Sequence, residues 1–155
     1  MATSREYATS ITVTPAELGK MIIAQQTVLD SGKFSTGAAD KAAIIAGLGG
    51  IGATVLGLLF VASAPVSIAA GVAGLALSLY SYGTGGKMED VLEYGISGMN
   101  KILSEINAYG SRYSQFQIKF PFLEYTMQDG TVLRFIQGQG VVERARSGGG
   151  WEIIN

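Results

Sequence analysis

The sequence contains forty-five consecutive residues without a charged side chain, from Ala42 to Gly86. A soluble domain of this size seldom buries two successive helices that are apolar on every side, whereas a lipid bilayer requires such helices. Residues 42–63 would form a helix of about 33 Å and residues 66–82 one of about 25 Å, close to a hydrocarbon core of about 30 Å. The sequence therefore predicts a transmembrane-like helical hairpin, turned at Ala64-Pro65, with both polar ends on one side.

Composition excludes several classes of function. The net charge is −1 and the basic residues are scattered, which argues against a nucleic-acid partner. The chain has no cysteine and no histidine, so thiolate or imidazole metal sites and histidine-dependent nucleophiles are excluded. We therefore expect a non-enzymatic protein with no cofactor and no small-molecule substrate. The apolar run starts only at residue 42, after Arg5 and Glu6, so we expect cytoplasmic synthesis without a cleavable signal peptide.

Two amphipathic helices are predicted to flank the hairpin. Thr14 and Glu17 can form a capping box around Pro15 at the first helical position, and the helix should end near Ser31-Gly32. A second amphipathic helix is predicted from about Lys87 to Tyr109, with its apolar residues along one face. These two helices should pack beside the apolar hairpin.

The last forty residues change period and predict β-structure. Apolar residues alternate after Tyr113, Pro121 marks a bulge or an edge position, and Asp129-Gly130 is a hairpin-turn signal. The predicted fold class is α+β, with a helical domain over residues 1–112 and a small antiparallel β-meander over residues 113–155. Because so small a meander leaves strand edges unpaired, we expect this tail to mediate oligomerisation or docking to a larger protein assembly.

Small residues recur at helical spacing within the predicted hairpin. One line consists of Gly49, Ala53 and Gly57, and the other of Ala70, Gly74 and Ser78. Such lines allow close approach of helices in lipid, although glycine and alanine are also common in apolar helices generally. Three further residues belong to the candidate membrane-inserting set: Leu58 and Val72 near the helix centres, and Pro65 at the turn.

Four residues at the ends of the apolar run are candidates for the membrane–water interface. Tyr80 and Tyr82 end the run beside Lys87, and Lys41 precedes it. Amphipathic aromatic rings favour this boundary. The alternative is that both tyrosines are ordinary core or surface residues.

Two glycine-rich motifs resemble nucleotide-binding loops but lack required partners. Residues 47–52 read G-x-G-x-x-G after a strand-like Ala43-Ile44-Ile45, but residues 66–80 contain no acid to bind a ribose. Residues 83–87 fail as a phosphate loop because Ser81 replaces the first glycine and Met88 replaces the Mg²⁺-binding hydroxyl. We interpret the first motif as part of the hairpin and the second as its flexible exit.

The architecture of residues 40–85 is similar to the buried hairpin of pore-forming colicins and to the glycine-zipper segments of small antibacterial membrane toxins. The similarity rests on composition and length, so no functional residue is carried over from either family. It implies a protein that permeabilises a membrane.

Three functions follow from these features. The first is a delivered, oligomeric, pore-forming or toxin-like protein whose hairpin inserts into a target lipid membrane. The second is a structural component of a virion, such as a phage tail, or of a contractile injection machine, with a buried or releasable hairpin. The third is a resident inner-membrane protein. Because the second hairpin helix is only marginally apolar for insertion, conditional insertion is favoured over permanent residence.

Overall fold

The computed structural model of the chain describes residues 2–61 and 64–154, and its fold class is α+β, as predicted. Five helices lie between the first and second strands along the chain, and the strands form one antiparallel sheet. The elements are β1 Thr3–Val13, α1 Pro15–Gly32, α2 Lys41–Leu48, α3 Ala53–Phe60, α4 Pro65–Ser81, α5 Gly85–Asn107, β2 Gln115–Thr126, β3 Val132–Ile136, β4 Val141–Ser147 and β5 Gly150–Ile153.

The predicted capping box is present at the start of α1. The Glu17 amide donates to the Thr14 hydroxyl at 3.1 Å, and the Thr14 amide donates to the Glu17 carboxylate at 2.8 Å. The helix ends at Gly32, where the ring of Phe34 lies so close that a Cβ would collide with it. The local signals in the sequence therefore predicted both ends of this helix correctly.

The prediction that the first half of the hairpin is one continuous helix is wrong. Residues 42–60 form two helices of eight residues each, α2 and α3, separated at Gly49–Gly52, and Gly52 has φ +96°. Glycine weakens a helix by about 1 kcal/mol relative to alanine, so three glycines within four residues favour a break. Each helix is about 12 Å long, too short to cross a bilayer. A transmembrane-type hairpin is therefore not confirmed.

The second half of the predicted hairpin agrees better with the structure. Helix α4 begins at Pro65 after an extended Ala64 and ends at Ser81, close to the predicted 66–82. The turn at Ala64-Pro65 is thus a real boundary. Ser63, the predicted end of the first helix, lies outside the described residues.

The sheet is not the predicted meander. Strand β2 is central, and β1 pairs with it along all eleven residues from Thr3 to Val13. On the other side of β2, strands β4 and β3 lie end to end, so β4 pairs with β2 rather than with β3. The N-terminal residues thus supply the longest pairing of the sheet. The domain boundary at residues 112/113 stays a prediction, although it separates β1 from its partner strand.

Pro121 lies within β2 without interrupting it. Its carbonyl oxygen accepts a 3.0 Å hydrogen bond from the amide of Gln137, so the Pro121 nitrogen faces the same side of β2. On that side the pairing with β4 has ended at Lys119 and the pairing with β3 starts at Phe122. The missing N–H of proline therefore leaves no ladder bond unmade. The predicted bulge occurs instead between Gln117 and Ile118, opposite β4.

The core lies between the sheet and the helices, with phenylalanines at its centre. The side chains of Phe116, Phe120 and Phe122 from β2 are fully buried, as are Phe135 from β3 and Phe60 from α3. The rings of Phe60 and Phe135 meet edge to face at a centroid distance of 5.7 Å. Helices and sheet thus share one hydrophobic core.

Candidate membrane-interaction surface

Helix α4 has one buried side and one exposed side, and the exposed side carries no charge. Ile68, Val72 and Leu75 are completely buried. On the opposite side, Val66 is 63% exposed and Leu77 is 60% exposed. The small residues Ala70 and Gly74 lie between them and are also exposed. A globular helix normally places polar side chains on this outer face.

Helix α2 extends this exposed uncharged region, because α2 and α4 are in contact. After the exposed Lys41 at its start, the exposed residues of α2 are Ala42, Ile45, Ala46 and Gly47, and the exposed Gly49 follows the helix. A shallow groove of about 400 Å³ joins the start of α2 to the outer side of α4, and Lys41 is the one charged residue among those that line it. We call the following set of exposed residues the uncharged surface: Ala42, Ile45, Ala46, Gly49, Val66, Ala70, Gly74, Leu77 and Tyr80.

The two amphipathic helices present a different kind of surface. The exposed positions of α1 include Lys20 and Asp30, and those of α5 include Glu93, Lys101 and Glu105. Both helices therefore solvate their outer faces with charge, as expected of helices in contact with water. The contrast within one small fold shows that the uncharged surface is a local property of α2 and α4.

The two lines of small residues do not form close helix contacts within the monomer. Gly49 and Ala53 are exposed, and Gly57 is half-buried. A Cβ built at Gly57 would meet no described heavy atom of another element within 4 Å, and one at Gly74 would meet only the sulfur of Met127 at 3.7 Å. Ser78, the last member, is half-buried beside Tyr82. Packing through these lines stays a prediction about contacts with another molecule.

Close backbone approach occurs at glycines that the spacing argument did not select. A Cβ at Gly95 of α5 would overlap the carbonyl oxygen of Ile136, and one at Gly85 would overlap that of Phe34. A Cβ at Gly98 would collide with the carbonyl group of Gly138. These three glycines let α5 lie directly against the backbone of the sheet and of the loop after α1.

The remaining candidate residues are divided between core and surface. Val72 is fully buried, and Leu58 and Pro65 are half-buried, so these three belong partly to the folded core. Lys41, Tyr80, Tyr82 and Lys87 are all exposed. Tyr80 and Tyr82 are 52% and 60% exposed, which is compatible with either an interfacial or an ordinary surface role.

One segment of the described chain is long and apolar enough to cross a membrane. It runs from Ala53 to Ser81 and reaches a mean hydropathy of 2.2, but half of its most apolar window is buried within the fold. This segment comprises α3, α4 and the residues between them. Such a segment is also found in the core of soluble proteins, so this finding by itself is weak evidence for a membrane span.

A polar contact attaches the end of α3 to the sheet. Arg134 of β3 donates from Nη2 to the carbonyl oxygen of Leu58 at 2.7 Å. Its guanidinium lies 4.0 Å from the centroid of the Phe122 ring, and its Nη1 donates to the hydroxyl of Tyr7 at 3.3 Å. A cation at a helix C-terminus is favourable because the last carbonyl groups lack partners within the helix.

The carboxylate of Glu124 lies near the guanidinium of Arg134 at this end of the sheet. Glu124 accepts hydrogen bonds from Arg5 at 2.6 Å and from Tyr7 at 3.0 Å. The hydrogen bond from Arg5 is the main reason that the pKa of Glu124 lies below its ordinary value, and the Tyr7 hydroxyl and the charge of Arg134 lower it further. We call Arg5, Tyr7, Glu124 and Arg134 the polar cluster.

The rejected nucleotide motifs have no strand–loop–helix geometry. Residues 43–45 belong to α2, so the G-x-G-x-x-G run follows helical rather than strand residues. Within residues 2–61 and 64–154, no group of three or more acidic side chains could hold a metal ion.

Comparison of the chain with known protein families, with curated proteins and with solved structures finds no match.

Proposed function

We propose that the protein is a non-enzymatic, membrane-inserting protein in which the apolar segment from α2 to α4 penetrates and permeabilises a target lipid membrane. The observation that supports this proposal is the uncharged surface, which stands beside charged helices in the same fold. Exposed apolar surface of this kind on a small protein indicates an interaction site. Lipid fits this surface because the sequence around it lacks charge over forty-five residues.

Insertion would require the segment to leave its packed position. Val72 and the rest of the inner side of α4 would exchange contacts in the protein core for contacts with lipid tails. Helices α2 and α3 would join across Gly49–Gly52, because eight residues cannot span a bilayer. Both environments are apolar, so the exchange costs little hydrophobic free energy. The contact between Arg134 and Leu58 would have to break.

Flotation of the purified full chain with phospholipid vesicles tests this proposal. We expect the protein to float with the vesicles and to stay with them through an alkaline carbonate wash. The Leu77→Lys variant should float less, because it places a charge on the exposed side of α4, whereas Tyr94→Lys on α5 should float as wild type does. Protein that stays soluble and fails to float would refute the proposal.

A second candidate is a structural component of a phage tail, virion or injection machine. The outward-facing line of Ala70 and Gly74 favours it, because small residues on an exposed helix suit close packing against another subunit. In this case the uncharged surface would be covered by protein. Recovery of the native chain in large particles, without lipid, would support this candidate over the first.

A further inference from the structure

One long edge of the sheet is covered by a helix side chain, and the other is open. The free border of β3 is covered by Gln25 of α1, which is fully buried. The Gln25 side-chain oxygen accepts from the amide of Ile136 at 3.1 Å, and its nitrogen donates to the carbonyl oxygen of Ile136 at 2.7 Å. Gln25 therefore takes the place of a neighbouring strand residue, and β3 offers no open ladder at this point.

The outer border of β1 has no such cover. Because Pro121 directs its backbone groups away from β1, its partner Ala8 directs its own groups away from β2. The backbone groups of successive strand residues point alternately to either side, so the N–H and C=O of every even-numbered residue of β1 also point away from β2. Within the described residues, these five N–H and five C=O groups have no protein partner. The outward residues, all exposed, are Ser4, Glu6, Ala8, Ser10 and Thr12.

Strand β1 lacks several of the features that normally protect an open edge, although it carries the exposed charged residues Arg5 and Glu6. It is eleven residues long, its pairing with β2 contains no bulge, and it contains no proline or lysine. Natural proteins usually block such edges with one of these features. The other terminal strand, β5, has only four residues, which is a protected length.

We propose that β1 pairs with β1 of a second copy of the chain, antiparallel and centred on Ala8, so that the two sheets become continuous. This register places Ser4 opposite Thr12 and Glu6 opposite Ser10, and it brings the two Ala8 residues together at the two-fold axis. All five outward residues are then paired, no like charges face each other, and the smallest side chain of the five lies at the axis. The proposal does not depend on the membrane function.

A single-cysteine experiment tests both the pairing and its register, since the chain has no cysteine of its own. Ala8→Cys should form a disulfide-linked dimer under mild oxidation, because directly paired residues in a hydrogen-bonded antiparallel pair have Cα atoms about 5.5 Å apart. Ser4→Cys is the matched control on the same exposed edge. Its two copies would lie eight residues apart, about 27 Å, and should not cross-link.

The expected result is at least tenfold more dimer for Ala8→Cys than for Ser4→Cys at equal protein concentration. In light scattering, the unmodified protein should have twice the mass of one chain, and Ala8→Lys should have the mass of one chain with an unchanged circular dichroism spectrum. Equal cross-linking of the two cysteine variants, or a monomeric unmodified protein, would overturn the proposal. A monomer would leave this edge to a different extended partner.

Discussion

The guanidinium of Arg134 donates a 2.7 Å hydrogen bond to the carbonyl oxygen of Leu58, and this contact links the sheet to the last turn of α3. Arg134 is also held by the ring of Phe122 and the hydroxyl of Tyr7. In the folded chain, this contact fastens the end of a segment that we propose to be released into a membrane.

Replacement of Arg134 should loosen α3 selectively. Arg134→Gln removes a charged hydrogen bond to Leu58, so we expect the free energy of unfolding to fall by about 2 kcal/mol. Amide hydrogen exchange should accelerate in residues 53–61 more than in β2. Arg144→Gln is the control, because Arg144 is exposed and its contacts, a 2.6 Å hydrogen bond to Gln117 and the ring of Trp151, do not involve α3, so exchange in residues 53–61 should stay as in wild type. Equal effects of the two variants would show that the contact does not hold α3.

Gln25 should be essential for the attachment of α1 to β3. Gln25→Leu leaves the amide and carbonyl of Ile136 buried without partners, and we expect a loss of about 2–4 kcal/mol in chemical denaturation. Gln26→Leu is a matched control one residue along the helix. Among the residues that the structure describes, the side chain of Gln26 bonds only to Asp30 on the same helix, so its loss should change stability by less than about 0.5 kcal/mol.

The polar cluster predicts a loss of stability in acid. The pKa of Glu124 is lower in the folded protein than in the unfolded chain, because Arg5 and Tyr7 donate hydrogen bonds to its charged form. The contribution of Glu124 to the free energy of unfolding is therefore fully present when the pH is above its pKa in the unfolded chain, about 4.3. This contribution is lost as the pH falls through the lower pKa of the folded protein.

Urea denaturation between pH 7 and pH 3 measures this effect. Glu143 also has a lowered pKa, through its hydrogen bonds from Ser10 and Gln117, so its contribution to stability is lost in acid in the same direction. Each contribution is isolated by its own substitution, Glu124→Gln or Glu143→Gln. The Glu124→Gln variant should lose less stability than wild type over this range. An unchanged slope in this variant would contradict the assignment.

The small-residue lines should matter more for association than for folding of the monomer. Gly57→Leu and Gly74→Leu have room for a Cβ in the folded chain, so we expect their thermal unfolding to stay close to that of wild type. Gly49→Leu is tighter, because its Cβ would lie 3.3 Å from the carbonyl oxygen of Ile45, and it should cost some stability. The association of all three variants in lipid should decrease through overpacking. By contrast, Gly95→Ala should prevent folding, because its Cβ would overlap the Ile136 carbonyl oxygen. Unimpaired association of the three leucine variants would mean that these glycines reflect composition alone.

The sequence predicted what depends on local signals and missed what depends on long-range pairing. The capping box of Thr14 and Glu17 and the start of α4 at Pro65 were correct because both follow from a few adjacent residues. The pairing of β1 with β2 joins residues more than one hundred positions apart, and no local pattern encodes it. A variant truncated after Tyr109 would lack β2 and would therefore leave β1 without its partner strand. Point substitutions are thus the better test of whether the C-terminal strands mediate docking.

The candidate site was predicted in part. The uncharged character of α2 and α4 followed directly from the sequence, but the division of α4 into an inner and an outer side did not, because both sides are apolar. Two residues carried signals that were not interpreted. Gln25 interrupts the apolar stripe of α1, and Arg134 interrupts the apolar strand Val132–Ile136. Both are polar residues at apolar positions, and both make the contacts that fasten helices to β3.

Permeabilisation of vesicles by surface-charge variants tests the central claim most directly. Ala70→Lys and Leu77→Lys place a charge on the exposed side of α4 without entering the core, and a charge within an inserted helix costs about 2.5–3.5 kcal/mol near its centre. Substitution of the buried Val72 would instead disrupt the fold. The control is Tyr94→Lys, at a residue of α5 that is 66% exposed.

The measurement is dye release from phosphatidylcholine–phosphatidylglycerol vesicles at pH 7 and pH 4. We expect wild type and Tyr94→Lys to release dye equally, and Ala70→Lys and Leu77→Lys to release it about tenfold more slowly or not at all. Equal release by all four proteins, or no release by wild type at either pH, would contradict insertion of the apolar helices as the activity of this protein.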